Sequence, residues 1–186
     1  MAFYSEQELK EIGFKKIGVN VKISTRASIY RPHEMEIGDN SRIDDFCLLS
    51  GKIKIGRNVH LAAFSNISAG ECSVTFEDFS GLAYGCHVFT GSDDYSGKTL
   101  TNPTVPTEYK GLKESNVILG RHVIVGTNSI VFPGVIIAEG CSVGALSMLT
   151  KSTKPWGIYF GAPAKRIKER SKDLLELERL YLNNGK

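Results

Sequence analysis

Aliphatic residues return at every sixth position between residues 119 and 150, with Leu119, Val125, Val131, Ile137, Val143 and Leu149 in one register. Neither the 3.6-residue period of a helix nor the alternation of a single strand produces this spacing, so a larger unit is repeating. A second column, Val123, Ser129, Val135, Cys141, Ser147 and Thr153, is small or β-branched throughout and suits a tightly turned backbone. Each hexad therefore reads as a short strand plus a corner, and three hexads as one triangular coil. Stacked coils would pair their strands in parallel, ~4.8 Å apart, with the aliphatic residue of every hexad pointing inward. No coil buries that face alone, so stacking has to supply the core.

The register continues upstream with interruptions. Ile17, Ile23 and Ile29 keep the step, "YRPHEM" inserts residues, and Ile37, Ile43, Leu49, Ile55, Leu61 and Ile67 resume it. The phase slips again at "SAGECSV" and returns at Phe76, Leu82 and Val88. It then stops at a polar, Gly- and Pro-containing segment over 91–116. Excursions of this length inside a compact domain are usually functional or disordered, and this one reads as functional. Helices bracket the repeat. Ser5 stands three residues before Glu8 in "SEQELKEIGF", which spells a capping box. The tail "ERSKDLLELERLYL" places Leu174, Leu177 and Tyr181 on one helical stripe expected to dock on a neighbouring surface. The chain thus divides into an N-terminal helical cap (1–16), a β-helix (17–154) and a C-terminal turn and helix (155–186), all within a single domain.

Composition narrows the class. With 41% hydrophobic and 23% charged residues in 186, the chain is long and apolar enough for one sizeable core. A formal net charge of +3 does not argue for nucleic acid or an anionic membrane, and no apolar run is long enough to span a bilayer. The N-terminus is too polar for a signal peptide, so the cytoplasm is the expected compartment. Cys47, Cys72, Cys86 and Cys141 show no CxxC pair, which predicts reduced, mostly buried thiols rather than disulfides or a zinc cage.

The hexads, the interrupting segment and "GAPAKRI" directly after the last coil resemble the hexapeptide-repeat acyltransferases, over nearly the whole chain from Ile17 to Ile167. The resemblance implies an all-β fold, a left-handed parallel β-helix, usually assembled as a homotrimer with active sites between adjacent prisms. Within the family, "FYSEQELKEIGF", "SDDYSGKTLTNPTVP" and "PWGIYFGAPAKRIKERSK" are similar to acetyltransferases of surface-polysaccharide and O-antigen gene clusters. It implies an acetyl-CoA cosubstrate, a dTDP-linked dideoxy aminosugar as the nucleotide-sugar partner, and no metal. By this resemblance Thr127, Ala145, Thr150 and Lys151 fall where pantetheine and pyrophosphate are contacted, and Lys165, Arg166 and Lys168 near the nucleotide phosphates.

One departure from the family carries chemistry. Its sugar O-acetyltransferases place a histidine after the coil that enters the long loop, and here "FTGSDDY" puts Ser92 in that place. A hydroxyl attacking a thioester needs general-base help worth ~100 to 10,000-fold, which a serine does not supply alone. An amine with its free base populated needs mainly orientation and an oxyanion donor, so an aminosugar acceptor is favoured over the saccharide O-acetyltransferase alternative. Asp94 and Asp93 at the loop's mouth, and His87 in "YGCHVF", are the candidate catalytic groups, with turn formation and a structural histidine as the plainer readings. Ser92, Tyr95, Phe64 and Asn66 are candidate substrate contacts. His122 is expected to be exposed at a corner, and His33 and His60 to stand without a constellation. A zinc hydratase of the gamma carbonic anhydrase kind and a non-catalytic scaffold are the other classes. The histidines lack a short-spaced ligand pair, and a scaffold would not require the loop. Direct attack, with the oxyanion on a backbone N–H and no acyl-cysteine intermediate, is the expected mechanism.

Overall fold

The computed structural model describes residues 2–184; Met1, Gly185 and Lys186, within the expected terminal segments, lie outside the described residues. About seven turns of a three-sided parallel β-solenoid fill the middle of the chain. Its walls are ladders of two- to five-residue strands. The inward residues stack in register from coil to coil. On the first wall Ile17, Ile37, Ile55, Phe76, Leu119 and Ile137 are successive partners. The second wall carries Ile23, Ile43, Leu61, Leu82, Val125 and Val143, and the third Ile29, Leu49, Ile67, Val88, Val131 and Leu149. Every hexad position read from the sequence is buried except Ile17 and Ile29 in the first coil, which are partly covered.

Small corner residues do a second job. Ser65, Cys86 and Ser129 stack at the edge between the second and third walls, and each side chain donates to a carbonyl of the following coil: Ser65 Oγ to Ala83, Cys86 Sγ to Gly126 and Ser129 Oγ to Gly144, at 3.2, 3.2 and 3.0 Å. Burial pushes the Cys47 thiol up to about 11 and raises Cys86 as well, so these thiols stay protonated and act as packing groups. Corners also need a left-handed residue. Asn20, Asn40 and Asn58 supply it at successive coils between the first and second walls, with φ near +57° (56, 57 and 57°), where Asn is the most tolerant side chain after Gly.

Both slips in the register fall at the edge between the third and first walls. Pro32–Glu34 forms a 3-10 turn there, and 69–73 bulges before Val74–Phe76. The long excursion leaves from the same edge. Helix α1, Glu6–Ile12, has the expected capping box, with the Ser5 hydroxyl accepting from the Glu8 N–H and the Glu8 carboxylate accepting from the Ser5 N–H, and it buries Leu9 against the first coil. At the far end the chain continues the solenoid beyond the last hexad read from sequence. Gly157–Phe160 adds a strand to the second wall, with Tyr159 above Val143, and Lys165–Glu169 returns antiparallel to it. Phe76, at the centre of the stack, is the largest fully buried side chain among the described residues. Phe76→Ala is expected to cost about 3–5 kcal/mol, read as a lowered midpoint in urea unfolding.

Candidate active site

One coil carries most of the candidate chemistry. Its second-wall strand Gly81–Leu82 leads to the edge at Tyr84 and Gly85, its third-wall strand is His87–Phe89, and it then opens into the excursion. His87 is exposed on the outer face of the third wall, with Asn66 beside it in the preceding coil and Ile130 in the next. The Asn66 Oδ1 is buried without a hydrogen-bond partner among the described residues. Phe64, two residues earlier at the edge, is 61% exposed and stacks on Phe46 with centroids 5.1 Å apart. Both phenylalanines hold φ near +60° (65 and 60°), an uncommon conformation for a bulky side chain.

The excursion begins as a ribbon, with Gly91–Ser92 antiparallel to Lys113–Glu114, and contains a 3-10 turn at Thr107–Tyr109. Phe89 and Phe132 contact at 5.1 Å beneath its root. Ser92 is half-buried in the ribbon and its hydroxyl donates to the Asp93 carbonyl at 3.3 Å. The Asp93 carboxylate accepts from the Asn102 N–H at 3.1 Å, which ties the two arms of the loop. Asp94 accepts from the Ser96 hydroxyl and N–H at 2.7 and 3.1 Å and from Thr99 at 3.4 Å. Those donors, Ser96 first, hold its carboxyl below the usual range, so it is an anion rather than a proton carrier near neutrality. Tyr95 is 91% exposed, with no ring against it among the described residues.

The residues expected to meet the acyl donor separate into three groups. Thr127 and Ala145 occupy equivalent positions in successive coils at the edge between the second and third walls, where the Leu146 N–H donates to the Thr127 carbonyl at 2.9 Å. Lys165, Arg166 and Lys168 lie on the exposed return strand at the end of the second wall. Arg166 is engaged by Glu169 at 2.7 Å, whereas Lys165 and Lys168 have no ion-pair partner among the described residues. Thr150 and Lys151 are exposed at the other edge of the third wall.

Two histidines sit differently from expectation. His122 is 7% exposed, because the C-terminal helix α2, Leu174–Asn184, covers its corner. Its Nε2 lies 2.9 Å from Glu178 Oε2, its ring stacks on Phe79 at 5.3 Å, and Arg121 pairs with the same Glu178. Burial, helped by the adjacent Arg121, lowers the proton affinity of His122, so the imidazole donates as a neutral group and Arg121 answers the carboxylate's charge. The helix thus docks through Glu178 and Tyr181, which accepts from Asn58 at 3.0 Å, while Leu177 from the expected stripe is 66% exposed. His60 does have partners. Asp44, buried on the second wall, lies 2.9 Å from its Nε2 and accepts from Arg42 at 2.6 Å. Burial opposes the Asp44 charge, but these two hydrogen bonds outweigh it and keep the carboxyl low. Sequence spacing hid this pair because its members are separated by one coil.

An exposed edge carrying Thr127 and Ala145, a basic return strand at the end of the stack and a polar excursion on the neighbouring edge fit one class: a β-helical transferase for a long, phosphate-bearing donor. No protein-family model matches the chain. Over 184 residues it is 44% identical to the dTDP-4-amino-4,6-dideoxy-D-glucose acyltransferase of Escherichia coli, covering 97% of this chain and 95% of that one. The crystal structure of AntD, an N-acyltransferase from Bacillus cereus in complex with dTDP and 3-hydroxybutyryl-CoA, superposes with a TM-score of 0.97 at 47% identity, covering 98% and 97% of the two chains. An AntD variant in complex with dTDP-4-amino-4,6-dideoxyglucose and coenzyme A gives 0.97 at 48% identity, with 98% of each chain covered. The chain belongs to the hexapeptide-repeat acyltransferases, in the branch of the dTDP-aminosugar acyltransferases, and its solenoid is the left-handed β-helix of that family.

Glu178→Ala would strand Arg121 and His122 under α2. Hydrogen exchange in Leu174–Asn184 is expected to accelerate by more than tenfold, while the strands of the solenoid keep their protection.

Proposed function

We propose that the protein is an acetyl-CoA-dependent N-acetyltransferase acting on the 4-amino group of dTDP-4-amino-4,6-dideoxyglucose, in the cytoplasmic assembly of a surface polysaccharide such as O-antigen. The sugar named for the E. coli relative and bound to the AntD variant is the observation that carries this reading. The absent loop histidine agrees with it, since a free amine attacks a thioester without prior deprotonation by the protein. The donor's nucleotide phosphates meet Lys165, Arg166 and Lys168, and its pantetheine runs down the edge past Ala145 and Thr127. Thr150 and Lys151 face a neighbouring prism. A homotrimer fits this division. The loop leaves from one edge of the third wall and the Thr127 edge is the other, so a loop from one copy completes the edge of the next. The 91%, 59% and 57% exposure of Tyr95, Tyr109 and Leu100 supports a loop that is covered only on assembly.

In the ternary complex the amine is held between the Asp94 carboxylate and the sugar contacts at Phe64, Asn66, Ser92 and Tyr95. Asp93 fixes the loop that presents Asp94. Attack on the thioester carbon gives a tetrahedral intermediate, a backbone N–H holds its oxyanion, and coenzyme A leaves as the thiolate. His87, on the same coil, accepts the proton released by the new ammonium, a task suited to an imidazole. The 3-hydroxybutyryl-CoA in the AntD complex supports a second reading in which the donor carries a longer hydroxyacyl chain.

Purified protein incubated with the amino sugar nucleotide and either donor, followed by thiol release and mass of the new amide, decides both points. Amide formed from acetyl-CoA at the higher kcat/KM supports the proposal; preference for the longer donor supports the second reading, and no amide from either overturns both. Lys165→Ala and Lys168→Ala are each expected to raise KM for the donor about tenfold with kcat retained. Because the Asp94 pKa is lowered, the carboxylate stays ionised from neutral pH down to below its ordinary range. The kcat/KM profile should therefore show no carboxylate limb between pH 5 and 9, and the acid limb that remains belongs to the groups that exchange a proton in the reaction, the sugar ammonium and its acceptor His87.

A further inference from the structure

The edge between the second and third walls is a ladder of equivalent positions, one per coil, each just before a left-handed residue. Asp45, Ala63, Tyr84, Thr127 and Ala145 occupy it, because the N–H groups of Phe64, Gly85, Asn128 and Leu146 donate to Asp45, Ala63, Tyr84 and Thr127 at 3.1, 3.0, 2.9 and 2.9 Å. Reading from the end of the stack, the donor contacts Ala145 and Thr127 come first and Tyr84 is the next rung. One rung further lies Ala63, followed by the candidate sugar contacts Phe64 and Asn66. From the return strand to Tyr84 is four strand spacings, ~19 Å at the ~4.8 Å spacing of neighbouring strands. The place where a pantetheine descending this edge ends, and where the sugar begins, is therefore the coil of Tyr84.

Tyr84 is 60% exposed and its hydroxyl has no hydrogen-bond partner among the described residues. Its coil is the one that continues through His87 into the Asp93–Asp94 mouth. We propose that the Tyr84 phenol is a catalytic group of the acyl transfer, donating a hydrogen bond to the thioester carbonyl oxygen as it becomes the oxyanion. This rests on the functional reading above. The balance is simple. The amine nitrogen forms a bond to the carbonyl carbon and the π pair moves to oxygen, where the phenol O–H meets it without transferring its proton. Collapse restores C=O and breaks C–S, the thiolate departs, and the ammonium proton leaves through His87 to solvent. The backbone donor is supplemented, and the side-chain donor acts only where negative charge develops, which is the condition for raising kcat rather than lowering KM.

The test compares Tyr84→Phe with the unaltered protein on the amino sugar nucleotide and its preferred acyl-CoA. The expected result is a fall in kcat of about 100-fold or more, with little change in either KM, and calorimetric affinity for coenzyme A kept within about twofold, which shows the edge intact. Tyr84→Phe with wild-type kcat overturns the proposal, and so does a variant whose loss lies in KM alone. If Tyr84→Phe is normal while Tyr84→Ala shifts the preference between acetyl-CoA and 3-hydroxybutyryl-CoA, the ring is a wall of the acyl pocket and the phenol is not a donor. An unaltered protein that binds coenzyme A but transfers no acyl group to any amino sugar nucleotide would instead defeat the functional reading itself.

Discussion

Stacking of like side chains in register along three parallel ladders is the interaction on which this structure depends. A coil of about eighteen residues, three hexads, has almost no interior of its own. It becomes stable when its three inward aliphatic residues land on those of the coil below, and the hydrogen bonds of the ladder permit that landing in only one register, since a one-residue slip turns every inward side chain outward. The corners enforce the same register from outside. A left-handed residue turns most of them, and at the edge between the second and third walls a serine or cysteine beside it ties its coil to the next carbonyl, as Ser65, Cys86 and Ser129 do.

This constraint is also what makes a site possible. Walls fixed by stacking leave their outer faces free of structural duty, so consecutive positions along an edge can be given to a ligand that is itself linear. The edge of Tyr84, Thr127 and Ala145 carries exposed positions at a regular spacing, and under the proposed function it takes the extended donor while the loop at the opposite edge of the third wall presents its carboxylates to the amine. Breaks in the repeat were confined to that second edge, at Pro32–Glu34, at 69–73 and at 91–116, where insertion does not disturb the two other corners. The aromatic residues at left-handed positions divide in the same way. Phe79 is used internally, stacked on His122 and met edge-on by Tyr181, while Phe46 and Phe64 keep the same costly conformation at the edge between the second and third walls with their rings in the open.

The architecture was legible from the sequence because its period is local: each rung announces itself six residues after the last. What followed from contacts one coil apart was not. Asp44 reaches His60 across sixteen positions and Asn66 neighbours His87 across twenty-one, separations at which the sequence has no fixed phase once insertions enter. His122 was expected in solvent because its corner looks like the others, and only the arrival of Glu178 from a helix far along the chain buries it. The extra strand at Gly157–Phe160 escaped notice because Pro155, Gly157 and Gly161 read as a turn and its inward residue is a tyrosine in place of an aliphatic one. Tyr84 has no motif around it in the sequence, and only the ladder of its edge shows what stands on either side of it.

The return strand has a consequence for life in a crowded cell. A parallel solenoid is open at both ends, and its last coil presents unpaired amides and carbonyls that a second molecule could extend indefinitely. Lys165–Glu169 lies across the terminal rung of one wall in the reversed direction, with every side chain exposed and four of its five residues charged. Such a strand offers no apolar inward row for a further coil to rest on. With α1 over the first coil, each end of the stack carries an element that breaks the parallel repeat, at the far end on the second wall.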